Sequence, residues 1–445
     1  MSQTETIPLE AQHGGRKLGW GLAALVVAGN MIGSGVYLAP VALASTGSSS
    51  LIGWLICGAG AMVLAAVFAG LGRFQPDADG LTDFTRRGLG RFVGYQTAIA
   101  YWGVCLTGNV AVALAGTGYL AFFLPSLAQP VPAMLCNLAL IGVTTAAYAA
   151  GARIAARLGA VTLVIGLLPL VLAIVAGIVA FSGTTFAASW SPQGLPLAQS
   201  VPASLVVIFW SFLGLESAAA LSRLVRNPAQ DVGRASVAGV GLALVVYVAA
   251  SVAVFGVIPA GELASSTSPF ADLAARVFGA SVAGFVAACA VIKALGTIAG
   301  WTILGGETAR SAGEAGYLPR WFGSAATPGR LPLANPLING AIMAGLVVMT
   351  SQPTLAGQFA LLIGACTVLT ICLYALCCIS LFRASRAPGW RVLSVVGLIF
   401  SIGAVVAAAP GNIVPAIVLF AVASVGWVWV RNAPERRVDP IGPSV

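Results

Sequence analysis

The residues best suited to ligand-binding chemistry lie in the segment Gly29-Asn30-Met31-Ile32-Gly33-Ser34-Gly35, which interrupts an apolar run that begins near Trp20. Each of its glycines weakens a helix by about 1 kcal/mol relative to Ala. In a membrane, broken backbone is tolerated only where protein or a water-filled cavity covers it. A helix that restarts near Ser34 would offer N–H donors and positive potential to an anion such as a carboxylate. The alternative is that the glycines serve only close helix packing.

A second interruption of the same kind lies at Trp210-Ser211-Phe212-Leu213-Gly214-Leu215-Glu216-Ser217. Glu216 is the one acidic residue placed near the middle of an apolar run. A carboxyl group in a membrane is costly to ionise, so it tends to be neutral, paired or functional. Such a group can bind a proton on one side of the membrane and release it on the other. The alternative is a neutral, structural Glu bonded to a freed backbone carbonyl.

Lys293 is the one basic residue deep in an apolar run, and it lies about 12 Å along a helix from Trp301 at 1.5 Å per residue. Pairing with Glu216, lining a vestibule and snorkelling all fit this position. Trp54 fits an interfacial anchor, whereas Trp210 and Trp301 lie further from the ends of their runs. Indole faces attract cations and stack well on guanidinium. An anion site beside such rings predicts a zwitterion with a long cationic or apolar side chain.

Composition predicts a polytopic membrane protein, since 59% of the residues are hydrophobic and 8% are charged, against about 25% charged in a soluble domain. Runs of about 20 apolar residues are long enough to cross a bilayer. Twelve such runs are centred near residues 30, 60, 105, 140, 168, 210, 246, 295, 342, 368, 400 and 420. With a cytoplasmic N-terminus, all of the 22 Lys and Arg residues except Arg276 and Lys293 fall on the inner side. We therefore expect both termini to be cytoplasmic.

The remaining composition argues against metal or nucleic-acid chemistry. The distribution of basic residues explains the net charge of +9 without a nucleic-acid partner. The 8 cysteines all lie in apolar runs, and the single His lies in the N-terminal tail, so no spacing typical of a metal site occurs. The cysteines are predicted to be small core residues. No metal or cofactor is expected.

The two interruptions fall in the first and sixth predicted spans, which is typical of inverted repeats with a ligand site near the midplane. This spacing predicts a first five-helix repeat at 18–182 and a second at 198–382, followed by two helices at 388–431. The tails, 1–17 and 432–445, are predicted to be cytoplasmic.

The motifs together resemble the amino acid–polyamine–organocation transporter superfamily. Besides the two interruptions, they include Val36-Tyr37-Leu38-Ala39-Pro40, Gly94-Tyr95-Gln96-Thr97, Tyr101-Trp102 and Gly300-Trp301-Thr302. The resemblance covers nearly the whole chain and is strongest to the arginine/agmatine antiporters of that superfamily. It implies an all-α protein with twelve transmembrane helices in a five-plus-five inverted repeat, the leucine-transporter-like fold, with helices 1 and 6 broken.

The resemblance also implies roles for individual residues, each at a matching position of this sequence. Positions matching the substrate carboxylate site are Asn30, Gly33, Ser34 and Gly35, and Ile32 is a further substrate-binding position. Positions matching the site of the α-amino group and the side chain are Trp210, Leu213, Trp301, Val104, Cys105, Asn109 and Cys366. Positions matching gating residues are Tyr101, Glu216 and Tyr374, with Glu216 the proton-sensitive one.

Four positions depart from the superfamily pattern. Val104, Val112 and Cys366 stand where Ala, Met and Ser are expected, beside the side-chain pocket. Lys293 stands where a small residue is expected. Since a further positive charge disfavours a cationic substrate, Lys293 argues against arginine.

The implied function is exchange of arginine for its decarboxylated amine, agmatine, across a bacterial inner membrane by alternating access. With a decarboxylase, such exchange would consume internal protons and support acid resistance. The alternatives are lysine/cadaverine or ornithine/putrescine exchange, proton-coupled import of neutral or basic amino acids, and a sensor that binds without transport. No enzyme activity is expected. The expected partners are amino acid and amine substrates and the lipid bilayer, and a homodimer is compatible with the resemblance.

Overall fold

A computed structural model describes residues 19–75, 78, 80–216, 228–323, 333–351 and 354–432 of the chain. The predicted N-terminal tail at 1–17 and nearly all of the C-terminal tail lie outside the described residues, as does Ser217 of the second motif. The described part is helical throughout, with short loops and no strand.

The helices of the first half are α1 Trp20–Met31, α2 Ala39–Ala42, α3 Ser50–Phe74, α4 Gly80–Leu89, α5 Arg91–Leu120, α6 Pro130–Ala150, α7 Ala152–Ala180, α8 Gly183–Ala188 and α9 Leu197–Trp210. Those of the second half are α10 Pro228–Val257, α11 Ala260–Leu263, α12 Pro269–Phe278, α13 Ala280–Glu314, α14 Arg320–Gly323, α15 Ala334–Met349, α16 Leu355–Ala384, α17 Pro388–Val406 and α18 Pro410–Val430.

Eight helices of the described residues are long and apolar enough to cross a membrane. Four shorter apolar helices lie at Trp20–Gly29, Ile165–Ala180, Leu197–Trp210 and Ala334–Met349, where the other predicted spans fall. Two of these, α1 and α9, end at the predicted interruptions, which explains why they are short. The chain is thus an all-helical, polytopic membrane protein. The count of twelve spans, the inverted repeat and the repeat boundaries stay predictions.

The first predicted interruption is present in the backbone. Helix α1 ends at Met31, and the Ile32 N–H still donates to the Ala28 carbonyl at 2.7 Å. Gly33 is extended, with φ −94° and ψ −173°, and a 3₁₀ turn follows at Ser34–Tyr37. Because helical bonding stops and restarts here, the backbone N–H groups that begin the turn lack the carbonyl partners that a continuous helix would supply.

The chain also leaves the helical conformation at the second predicted interruption. Helix α9 ends at Trp210, and residues 211–216 form consecutive turns rather than a helix. Gly214 has φ +101°, a conformation that a residue with a Cβ rarely adopts. Positions 217–227 lie outside the described residues. The sequence therefore predicts the place where this helix breaks, and glycine makes the break possible.

Helices α5 and α16 form the centre of the molecule, with α13 packed against α5 and α7. In its most apolar stretch, 78% of α16 is buried, against 11% of α18. The exposed apolar face of α18 suits contact with lipid, whereas α5 and α16 hold the interior. Tyr101 and Tyr374 are carried by these two interior helices.

The expectation that Trp54 anchors the protein at the membrane interface is wrong. Its side chain is fully buried. The ring packs against Tyr247 and Phe212, with centroids 5.1 and 6.1 Å away. Its position follows from packing, because α3 lies against both α9 and α10 and Trp54 fills the space beside the second interruption. The cysteines are unpaired, and six of the eight are buried, as expected of core residues.

Candidate functional site

Glu216 lies at the centre of a polar cluster that joins three elements of the fold. The Tyr101 hydroxyl of α5 donates to Glu216 Oε1 at 3.1 Å, and the Tyr374 hydroxyl of α16 donates to Oε2. The Gly214 backbone N–H, freed by the second interruption, donates to Oε2 at 3.1 Å. The structure therefore brings together the three predicted gating residues. In all three bonds Glu216 is the acceptor, so one side chain links α5, α16 and the second interruption.

The aromatic part of the site is formed by Trp210, at the end of α9, and Trp301 of α13. Their ring centroids lie 5.8 Å apart at an interplanar angle of 30°. Gly108 of α5 lies next to both rings, since a methyl group there would be 2.6 Å from Trp301 Cζ3 and 3.1 Å from Trp210 Cη2. The two predicted indoles are therefore neighbours, and a residue without a side chain sets their distance from α5.

Asn109 presents an unused acceptor in the interior. Its Nδ2 donates to Thr302 Oγ1 at 2.8 Å and lies 3.3 Å from Met343 Sδ. Its Oδ1 is buried and has no hydrogen-bond partner among the described residues. A buried acceptor left unpaired costs about 1–3 kcal/mol, so a ligand with an N–H donor would be stabilised here. Since Thr302 directly follows Trp301, this acceptor belongs to the same region as the indole pair.

The remaining residues predicted for the side-chain pocket lie on the same interior helices. Val104 and Cys105 of α5 and Cys366 of α16 are fully or almost fully buried. Cys366 Sγ lies 3.5 Å from the Val104 carbonyl, which joins α16 to α5 one turn before Gly108. Leu213 is buried within the second interruption. Contact with a ligand stays a prediction for these four residues.

The predicted carboxylate site coincides with the first interruption. Ile32 is buried and Gly33 is extended directly before the turn that begins at Ser34. The structure does not describe the side chains of Asn30 and Ser34 or the surroundings of Gly35. The roles predicted for these three residues stay predictions. The structure places a 3₁₀ turn at this position, and binding of a carboxylate there stays a prediction.

Residues that the sequence analysis missed hold both interruptions in place. The Tyr247 hydroxyl donates to the Ser211 carbonyl at 2.8 Å, which satisfies a group freed by the second break. The Tyr119 hydroxyl donates to the Tyr37 carbonyl at 3.2 Å, and the Tyr37 hydroxyl donates to the Gly166 carbonyl. A tyrosine in an apolar run is the only sequence signal for such a role. Which carbonyl it reaches depends on helix packing.

Lys293 is buried, with 6% of its surface exposed. Among the described residues it forms no ion pair with Glu216, whose bonds are made by Tyr101 and Tyr374. The structure therefore does not show the pairing with Glu216 that the sequence analysis considered for Lys293. Burial also argues against snorkelling, in which the ammonium reaches the interface.

These features define a class of protein: a polytopic helical membrane protein in which two helices end in non-helical segments beside a polar, aromatic centre. The family model for amino acid permease matches residues 18–430, and the chain belongs to this family. The resemblance to the amino acid–polyamine–organocation superfamily is thereby confirmed.

Three bacterial relatives show the degree of similarity. The cadaverine/lysine antiporter of Escherichia coli strain K12 is 32% identical over 392 residues, 87% of each chain. The putrescine transporter PotE of the same strain is 32% identical over 347 residues, 78% of this chain and 79% of the relative. PotE of Haemophilus influenzae is 28% identical over 347 residues, 78% of this chain and 80% of the relative. The family and its bacterial members indicate a multi-pass inner-membrane transporter whose substrates are amino acids or amines.

Proposed function

We propose that this protein is a secondary-active antiporter that exchanges a basic amino acid for its decarboxylated amine by alternating access. The observation that carries this proposal is the unpartnered Oδ1 of Asn109, in the region of the Trp210–Trp301 pair. An acceptor that needs an N–H donor, beside rings that attract cations, suits the charged end of a basic side chain. The relatives named as cadaverine/lysine and putrescine transporters support the same ligand class.

In the proposed complex, the substrate carboxylate binds the backbone N–H groups at the start of the Ser34–Tyr37 turn, with Asn30, Ile32, Gly33 and Gly35 around it. The α-amino group faces the backbone of Trp210 and Leu213. The side chain extends over Trp301 toward Asn109, with Val104, Cys105 and Cys366 as neighbours. Glu216 senses protons and links Tyr101 and Tyr374, so that a change in its charge alters the contacts between α5, α16 and the second interruption.

Arginine and agmatine are the first substrate pair that we propose, because a planar guanidinium stacks on indole better than an ammonium does. Lysine and cadaverine are the second pair, favoured by the relative that is 32% identical over 87% of the chain. Both pairs require the same site, and they differ only in the cation that lies over Trp301.

The test is uptake of radiolabelled arginine or lysine into liposomes that contain the purified protein. The liposomes are preloaded with nothing, arginine, agmatine, lysine, cadaverine or alanine. Exchange predicts uptake only against an internal basic amino acid or amine, and the fastest pair identifies the substrate. Uptake into empty vesicles driven by a pH gradient would instead show proton-coupled import. Binding without uptake under every condition would show a sensor.

A further inference from the structure

Lys293 is a buried cation that the proposed exchange mechanism does not use. It lies on α13 with 6% of its surface exposed, and no carboxylate of the described residues forms an ion pair with it. The two acidic residues of the segment before α13 have other partners: Glu262 pairs with Arg276, and Asp272 accepts a hydrogen bond from Ser266. An ionisable group inside a membrane is expensive, and such groups usually serve ligands, ions or protons.

The aliphatic part of Lys293 is located by Gly166 of α7. A methyl group at position 166 would overlap the Cβ, Cγ and Cδ atoms of Lys293, so the lysine stem lies directly against this glycine. The backbone carbonyl of Gly166 also accepts a hydrogen bond from the hydroxyl of Tyr37. Lys293 and Tyr37 therefore contact the same residue of α7.

Tyr37 is the last residue of the 3₁₀ turn Ser34–Tyr37, whose first N–H groups form the proposed carboxylate site. Helix α13 itself also contacts this turn. Trp301, by contrast, lies about 12 Å further along α13, beside Gly108 and Trp210. The lysine is thus on the carboxylate side of the site, and the indole pair is on the side-chain side.

We propose that Lys293 is a specificity determinant that favours ligands with a carboxylate over ligands without one; this inference rests on the ligand placement in the proposed function. A fixed positive charge on α13, on a side chain packed against the residue that Tyr37 also contacts, attracts a carboxylate. An amine or an amide lacks that negative charge, so its net charge is more positive and it is disfavoured. In an interior of low dielectric, such a charge acts over a longer distance than it does in water. Lys293 thereby distinguishes the amino acid from its decarboxylated amine, two ligands with the same cationic end.

The test uses pairs of ligands that differ only in the carboxylate: arginine against argininamide, and lysine against lysinamide. Affinities are measured by equilibrium binding to the purified protein in detergent, at about pH 6, where α-amino groups are protonated. The variants are Lys293→Met, which keeps the length of the stem, Lys293→Gln, and Lys293→Arg, which keeps the charge. Cys289→Ala is the matched control, because Cys289 lies one turn earlier on α13, is also buried, and carries no charge.

In the wild type we expect the acid to bind more tightly than its amide. Lys293→Met and Lys293→Gln should each reduce this preference about tenfold, the effect of a unit charge roughly one helix diameter away at an effective dielectric of about 20. Lys293→Arg and Cys289→Ala should retain it. The ratio of two affinities does not depend on the fraction of active protein, so partial misfolding leaves the test intact.

An unchanged acid-to-amide ratio in both neutral variants would overturn the proposal, as would a wild type that binds the two ligands equally. Failure of the proposed function has a different signature. If the wild type binds no basic amino acid, the same ratio is measured with leucine and leucinamide. A preference for leucine that depends on Lys293 would then support the specificity role while rejecting a basic substrate, and its absence would reject both.

Discussion

Trp210 and Trp301 lie side by side, with ring centroids 5.8 Å apart and planes inclined at 30°. One ring ends the helix before the second interruption, and the other projects from the middle of α13. A ligand that contacts Trp301 is therefore next to the unwound segment that leads to Glu216. In the proposed complex, this arrangement connects ligand binding with the polar cluster, and four of the predictions below address its parts.

Replacing Trp301 by Leu should weaken binding of arginine or lysine about 2- to 30-fold, because a cation–π contact contributes about 0.5–2 kcal/mol. Trp301→Phe keeps a ring and should lose less. Affinities are measured by titration calorimetry, with alanine as the small neutral ligand. If Trp301→Leu lowers the affinities for alanine and arginine by the same factor, the ring does not contact the cationic side chain.

Gly108→Ala should reduce affinity for basic ligands, because the added methyl group would lie 2.6 Å from Trp301 Cζ3 and force the indole to move. Overpacking of this kind costs about 1–3 kcal/mol. The control is Gly142→Ala on α6, where an added methyl group has no neighbour within 4 Å. Ligand titration and thermal unfolding should distinguish the two variants. Wild-type affinity in Gly108→Ala would show that the indoles can move without consequence for binding.

Asn109→Leu should selectively weaken ligands with a cationic end, since it removes the unpartnered Oδ1 while preserving side-chain volume. A hydrogen bond to a charged donor contributes about 1.5–3 kcal/mol, so the affinity should fall about tenfold or more. Thr117→Val on the same helix is the control, because it removes a different buried hydrogen bond, the one from Thr117 to Asn137. Competition binding provides the measurement, and equal losses in the two variants would contradict a direct role for Asn109.

Glu216→Gln should remove the pH dependence of exchange, because the variant cannot gain or lose a proton at this position. Ligand affinity should stay within about threefold, since the hydrogen bonds of Glu216 are made to Tyr101, Tyr374 and Gly214. Exchange rates are measured in liposomes between about pH 5 and pH 8. Tyr374→Phe is the companion variant, which alters the rate but keeps the proton-binding group. Wild-type pH dependence in Glu216→Gln would place proton sensing elsewhere.

Asp272, on α12 in the segment between two predicted spans, should influence stability in a pH-dependent manner. Burial raises the pKa of its carboxyl group, and hydrogen bonds from Ser266 and the charge of Arg276 oppose this only in part. The folded protein therefore holds this proton more tightly than the unfolded chain, whose Asp pKa is about 4. The stabilisation is fully present below that value and is lost as the pH rises through the raised pKa.

Asp272→Asn should therefore gain thermal stability relative to the wild type as the pH increases from about 4 to 7. Thermal unfolding in detergent measures this difference. Glu262→Gln serves as the control, since Glu262 is exposed in its pair with Arg276. A stability difference between Asp272→Asn and the wild type that does not vary with pH would contradict the predicted proton linkage.

The sequence by itself determined the class of the protein and the two places where helices break. Apolar runs and glycines act locally: a run of sufficient length favours a membrane helix, and Gly214, at φ +101°, permits backbone that a residue with a Cβ rarely adopts. The motifs around these breaks were also sufficient to identify the superfamily.

Only the tertiary structure decided which side chains meet. The two side-chain partners of Glu216 lie 115 and 158 positions away in the chain, and Asn109 contacts Thr302 across 193 positions. The burial of Trp54 and the contact of Lys293 with Gly166 likewise depend on how helices pack. Hydropathy specifies that a helix lies in the membrane but not which neighbour each of its faces contacts. That choice is made by close packing among all helices at once, through small residues and inter-helix hydrogen bonds.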